Sequence, residues 1–162
     1  MISSTGQPEY SGKEILDYAL VVSLFLPRSA WYEWIPDAAY GFSNITISAG
    51  DNISLSVIAY SSTSGVAKIE NLTTGDMEEQ SLTSTSPLCG WDAEWIVEDF
   101  LQNGNLVPFA NFGTVTFENA IVGSQDGGAF TASQGSLVNI DQNDTLLTTT
   151  SASGSTVTIK YV

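Results

Sequence analysis

The sequence predicts an all-β chain, folded as an antiparallel β-sandwich or barrel. Three observations carry that prediction. Apolar and polar residues alternate with a period of two in segment after segment from Ala30 onward. These segments recur at intervals of about ten residues, divided by Gly, Asp, Asn, Ser and Thr turn words. No heptad or collagen period, internal repeat or Gly-rich phosphate loop competes with the pattern. The 162 residues suffice for one domain of ordinary size, and the 43% hydrophobic content can fill its core.

The elements follow in order. Residues 1–13 are polar and rich in turn formers. Residues 19–26, Ala-Leu-Val-Val-Ser-Leu-Phe-Leu, form an apolar run too short to span a bilayer. The run also makes a poor secretory leader. Glu9, Glu14 and Asp17 stand where positive charge belongs, and Pro27-Arg28-Ser29-Ala30 is a weak cleavage word. A buried strand or short helix is the reading that remains. Asn44-Ile45-Thr46-Ile47-Ser48 alternates as a strand. Ala49-Gly50-Asp51 then turns the chain into a second alternating strand that starts at Asn52 and runs through Ile58-Ala59-Tyr60. Val66-Ala67-Lys68-Ile69-Glu70 follows, closed by Thr74-Gly75-Asp76. Residues 93–101 fit a helix with Glu94 and Glu98 one turn apart, but Trp95-Ile96-Val97 and the β-rich surroundings favour a strand. As a strand it places Glu94, Ile96 and Glu98 on one face and Trp95, Val97 and Asp99 on the other. Residues 113–118 and 155–161 repeat the period of two.

Charge excludes several functions. There are 4 Lys and Arg against 18 Asp and Glu, with no His, for a net charge of −14. Nucleic acid and anionic membrane surfaces are therefore not expected partners, since neither has clustered cations to meet. Without His there is no Ser–His or Cys–His nucleophile and no His-ligated metal, and one Cys allows neither an internal disulfide nor a Cys-based zinc site. No metal or organic cofactor is expected. A chain so poor in cations gains little positive charge in acid and escapes the self-repulsion that unfolds other proteins there. N-x-[ST] words stand at Asn44, Asn52, Asn71 and Asn143 and, with so little Lys, lean toward an extracellular setting. Cys89 has no partner in the chain and is otherwise a small buried hydrophobe.

Carboxylates, hydroxyls and amides remain for chemistry. Two segments combine carboxyls with aromatics: Trp31-Tyr32-Glu33-Trp34-Ile35-Pro36 and Glu94-Trp95-Ile96-Val97-Glu98-Asp99-Phe100. A Glu among bulky apolar neighbours is partly desolvated, which raises its pKa and suits it to general acid or base work in acid. Glu98 is the first candidate and Glu33 the second; a solvated charge on an edge strand is the structural alternative for each. On one strand Glu94 and Glu98 lie about 13 Å apart and cannot work as a pair. Trp31, Trp34, Trp91 and Trp95 support a different class of function, a lectin-like face that stacks sugar or peptide without cutting it, against which stands plain core filling.

Residues 30–162 resemble the glutamic peptidases, or eqolisins, the aspergillopepsin II type of fungal acid protease. The words that carry the resemblance are Ala30-Trp31-Tyr32-Glu33-Trp34, the run from Gly41 to Asp51, Glu70-Asn71-Leu72-Thr73-Thr74-Gly75, Ala93-Glu94-Trp95-Ile96-Val97-Glu98-Asp99-Phe100, the run from Leu106 to Gly113, and the terminal Tyr161-Val162. The resemblance implies a concanavalin A-like sandwich of two seven-stranded antiparallel sheets. It implies a secreted, monomeric, cofactor-free endopeptidase acting on polypeptides at low pH. Residue for residue, the family's catalytic Glu falls on Glu98, as general base toward the attacking water. Glu33 matches a carboxylate lining the same cleft, and Trp31 and Phe100 match aromatic substrate-binding positions near it.

The sequence also departs from the family. The catalytic Gln of the family lies in an Ile-Leu-Gln-Thr-Gly setting after a Trp-Val-Gly-Ile-Asp-Gly word, and neither occurs here. Gln7, Gln80, Gln102, Gln125, Gln134 and Gln142 all stand in other contexts. Ser29 replaces the Asp that usually precedes the Ala-Trp-Tyr-Glu-Trp word, and the upstream partner of the family Cys matched by Cys89 is absent. Residues 1–29 are accordingly expected to be a non-family segment, with 30–162 a sandwich domain short of its N-terminal strands. The expected function is an acid endopeptidase by ancestry that carries the base without its Gln. The alternatives are the lectin-like binding module, an inactive remnant, and a glycosidase using Glu33 and Glu98.

Overall fold

The computed structural model describes residues 2–3, 20–25, 29–90, 92–98, 101–102, 104–124 and 126–162. These residues are nearly all β, every strand pairing among them is antiparallel, and no α-helix occurs among them. The chain divides into two compact units, residues 1–96 and 97–162.

The first unit holds β1 (Ile2–Ser3), β2 (Leu20–Phe25), β3 (Ser29–Trp34), β4 (Tyr40–Gly41), β5 (Ile53–Ser61), β6 (Ser64–Asn71), β7 (Met77–Thr83) and β8 (Glu94–Trp95). They form two sheets, ordered β4-β3-β2-β1-β8 and β5-β6-β7. The second sheet is a meander whose register explains its core. Leu55 faces Ile69 and Val57 faces Ala67 across one ladder, and Ile69 faces Glu78 across the next. With a side-chain period of two, the odd positions of β5 and β6 therefore share one face with the even positions of β7. That face meets Ala30 and Tyr32 of β3. Ala30, Phe42, Ala67 and Ile69 are buried there, with Ile45, Ile47, Ile53, Leu55, Val57 and Leu82 packed around them. Trp34 is 1% exposed and packs on Leu88, and its indole N–H donates to the Ser86 carbonyl at 2.8 Å, so its one polar atom is satisfied.

Three segments refine the sequence reading. Within the apolar run 19–26 the described residues, Leu20–Phe25, are a strand: β2 pairs with β3 along its whole length, from Leu20 opposite Trp34 to Phe25 opposite Ser29, and lies against β5 and β6. Asn44-Ile45-Thr46-Ile47-Ser48, expected as a strand, has no ladder. Its burial still alternates, with Ile45 and Ile47 toward the core. Side chains replace the missing ladder: Glu78 accepts the Ser43 and Asn44 N–H groups, at 3.3 and 2.7 Å, and the Asn71 amide donates to the Thr46 carbonyl at 3.0 Å. Residues 93–101 were expected as one strand. Only Glu94–Trp95 is paired, against β1, and 96–98 have no regular structure, so the strand alternation does not govern Glu98.

The second unit holds β9 (Leu101–Gln102), β10 (Asn105–Leu106), β11 (Thr114–Phe117), β12 (Ile121–Gly123), β13 (Ala129–Thr131), β14 (Asp141–Gln142), β15 (Thr145–Leu146), β16 (Thr148–Ser153) and β17 (Thr156–Tyr161). The expected strands at 113–118 and 155–161 pair with each other, Val115 opposite Ile159 and Phe117 opposite Val157, with β16 on the far side of β17. Val157 and Ile159 are buried. Phe109, Phe112 and Tyr161 form an aromatic cluster with ring centroids 5.7–6.2 Å apart.

Candidate active site

The alternation of β3 sorts its aromatics. Ala30, Tyr32 and Trp34 face the core, which turns Trp31 and Glu33 to the opposite face of the strand. Trp31 is half-buried in an apolar cluster with Ile35 and Ile96, and Glu33 is half-buried beside it. Positions i and i+2 of a strand are about 7 Å apart, so an indole and a carboxyl stand side by side on a single surface. In register, Trp31 lies opposite Ser23 and Gly41 and Glu33 opposite Val21. Gly41 places no side chain beside the Trp31 ring.

Glu98 lies two residues beyond Ile96 in the chain, in the second unit, and is exposed at its surface. The sequence reading had it half-sheltered on a strand face; with no ladder to hold the segment, it stands at the surface instead. Partial desolvation by the surrounding protein still pushes the carboxyl's pKa above the ordinary Glu value. Phe100 and Trp91 lie outside the described residues.

The tryptophans of the lectin-like reading do not all share one face. Trp34 is a core residue, and Trp31, three positions earlier, projects from the other side of the same strand. Cys89 is exposed and unpaired rather than a buried hydrophobe. Two glutamines have structural work. The Gln80 amide donates to Glu78 at 3.2 Å, and the Gln134 oxygen accepts the Thr131 N–H at 2.8 Å in a capping box. The Gln142 amide donates to the Val107 carbonyl at 3.4 Å.

Sequence reasoning passed over Glu78, a nearly buried carboxylate with 7% exposure. Burial alone would raise its pKa. The Asn44 and Ser43 N–H groups, with the Gln80 and Asn44 side-chain amides, outweigh burial and hold it below the usual range. The only signal available was its even-position partnership with Gln80 on an otherwise apolar face. An open pocket of about 490 Å³ was also not anticipated; Tyr32, Trp34, Asp37, Tyr40 and residues 81–83 of β7 line it, and Trp31, Glu33 and Glu98 do not. Among the described residues, no three His, Cys, Asp or Glu side chains group closely enough to hold a metal ion.

Comparison with known proteins places these features. Aspergillopepsin-2 of Aspergillus niger is 50% identical over 139 residues, covering 82% of this chain and 48% of that protein. Scytalidopepsin B of Scytalidium lignicola is 43% identical over 142 residues, covering 82% and 54%. The chain thus spans about half the length of the curated relatives it matches. The crystal structure of scytalido-glutamic peptidase with a peptide-based transition-state analog superposes with a TM-score of 0.82 at 34% identity, over 99% of this chain and 81% of that one. The β-sandwich class read from the alternation is the class of these solved structures. Residues 27–161 match the Peptidase A4 family, a span that includes β3 with Trp31 and Glu33 and the segment of Glu98, and to that family, the glutamic peptidases, the chain belongs.

Proposed function

We propose that the chain acts as a glutamic-type endopeptidase in acid, with Glu98 as its general base. Family membership carries the reading, because Glu98 falls within the matched span, and its raised pKa agrees with a carboxyl that exchanges protons in acid. Glu98 takes a proton from water as the water oxygen attacks the scissile carbonyl carbon. The same carboxyl then returns the proton to the amide nitrogen, the C–N bond breaks, and an acid and an amine leave. Trp31, Glu33 and Phe100 contact the substrate. The indole and carboxyl side by side on β3 suit an extended peptide, which offers both apolar side chains and backbone N–H groups. A peptide-based analog bound to scytalido-glutamic peptidase supports a polypeptide as substrate. The reading extends to a secreted monomer working without a cofactor.

The words that bear the family's Gln do not occur in this sequence. Loss of one oxyanion donor costs about 10²–10³-fold in turnover, so this chain is predicted to cleave slowly. Hydrolysis of a denatured protein substrate, followed from about pH 3 to about pH 6 where carboxyls titrate, tests the assignment. Slow cleavage that disappears in Glu98→Gln, with circular dichroism unchanged, is the expected result. Equal rates in the two proteins would remove Glu98 from the mechanism.

A further inference from the structure

The four N-x-[ST] words of this chain are alike in sequence and unlike in the fold. Asn71 is fully buried. Its amide uses both hydrogens, donating to the Thr46 carbonyl at 3.0 Å and to Asp51 Oδ2 at 2.8 Å. Its oxygen accepts the Thr73 and Thr74 N–H groups, at 3.0 and 3.3 Å. Even the hydroxyl of that word is engaged, since Thr73 Oγ1 accepts the Asn52 N–H at 2.9 Å. A sugar on Asn71 would take one of the two amide hydrogens and put a large polar group where no solvent reaches. The fold and a glycan at Asn71 exclude each other.

Asn143 is the opposite case. It sits at the tip of the β14–β15 hairpin, where Gln142 pairs with Thr145. The two turn residues, Asn143 and Asp144, have φ of 52° and 61°, as a type I′ turn requires. Asn143 and Thr145 are both exposed, and the Asn143 side chain has no partner among the described residues. Of the remaining two words, one is engaged through its side chain and the other, among the described residues, through its backbone alone. The Asn44 side chain hydrogen-bonds Glu78, and Asn52 is held by its own N–H and by its carbonyl, which accepts the Leu72 N–H at 2.8 Å.

We propose that Asn143 is an N-glycosylation site and that the Asn71 word stays unmodified in the folded protein. The donor is a polyprenyl-diphosphate oligosaccharide, used by the transferase of the secretory pathway. Asn143 Nδ2 forms a bond to the anomeric carbon of the reducing-end sugar, the bond from that carbon to the diphosphate oxygen breaks, the lipid diphosphate leaves, and the amide proton passes to solvent. The proposal rests on the secretion reading and is independent of Glu98, because it requires transit of the secretory pathway and no hydrolytic activity.

The test is secretion of the full chain from yeast behind an added leader, and its translation into microsomes behind the same leader. Intact mass is read before and after a peptide-N-glycosidase in ¹⁸O water, which hydrolyses the Asn–sugar amide and leaves an ¹⁸O-labelled Asp at each released site for peptide mapping. Two variants remove the word without harming the turn: Thr145→Ala leaves the turn residues alone, and Asn143→Gly puts there the residue that best tolerates positive φ. The expected result is an ¹⁸O mark on Asn143, none on Asn71, and loss of one glycan in each variant with its yield retained. An unmarked Asn143 in chain that has entered the lumen, or a glycan on Asn71 in the folded fraction, would overturn the proposal.

Discussion

Two carboxylates are pushed in opposite directions by their surroundings, and their pH signatures differ accordingly. Desolvation raises the pKa of Glu98, so this carboxyl, proposed as the general base, loses its ionised form at a higher pH than an ordinary Glu. The acid limb of the rate profile is therefore expected to titrate above the usual carboxylate value and to vanish in Glu98→Gln. For stability the sign is the reverse of a salt bridge: the penalty is present above the raised pKa and is relieved as pH falls, so Glu98→Gln is not expected to lower the denaturation midpoint at neutral pH. Glu78 is held low by donated hydrogen bonds that outweigh burial. Its contribution is complete above the unfolded pKa and is lost as pH falls through the lower folded one. Glu78→Gln is expected to cost about 1–3 kcal/mol at neutral pH, with the gap to the parent closing in strong acid, read by urea unfolding at both ends. Glu98 was legible in sequence because its apolar neighbours are adjacent. Glu78 was not, because Ser43 and Asn44 reach it from 35 and 34 residues away.

At the scale of elements, periodicity revealed which side chains are buried and left open which backbones pair. Ile45 and Ile47 face the core as the alternation says, yet no strand lies beside them; the ladder is replaced by Glu78 and Asn71, whose reach no local pattern encodes. Of the long strand expected at 93–101, Glu94–Trp95 pairs with β1, and the described residues 96–98 that follow carry no ladder. The apolar run 19–26 was legible as an element but not in its place. Pairing β2 between β3 and β1 makes it a central strand, and Val22 has Tyr32 on one side and Ile2 on the other. Proline at that position removes a ladder hydrogen bond and is excluded from central strands. Val22→Pro is expected to destabilise the fold by about 1–3 kcal/mol, the cost of a buried ladder group left unpaired, measured as a drop in melting temperature, whereas an unpaired segment would tolerate it.

At the scale of the whole molecule, charge and family were the most readable properties. The net charge of −14 comes from carboxylates that acid neutralises, with only 4 Lys and Arg to repel one another afterwards. The Lys68–Glu70 pair, at 3.2 Å and about a third exposed on each side, contributes at most about 1 kcal/mol and does not alter that balance. Thermal unfolding is expected to stay as high at about pH 4 as at pH 7, and added salt is expected to stabilise the chain more at pH 7, where self-repulsion is greatest. A falling midpoint between those pH values would contradict this. The family was legible because whole words survive, from Ala30-Trp31-Tyr32-Glu33-Trp34 to Glu98-Asp99-Phe100, whereas the words that bear the family's Gln are not in the sequence. The unpaired, exposed Cys89 has a practical consequence of its own. As the one thiol in the chain, it accepts a single maleimide fluorophore or a surface tether at a defined position, with no engineered cysteine and none to remove.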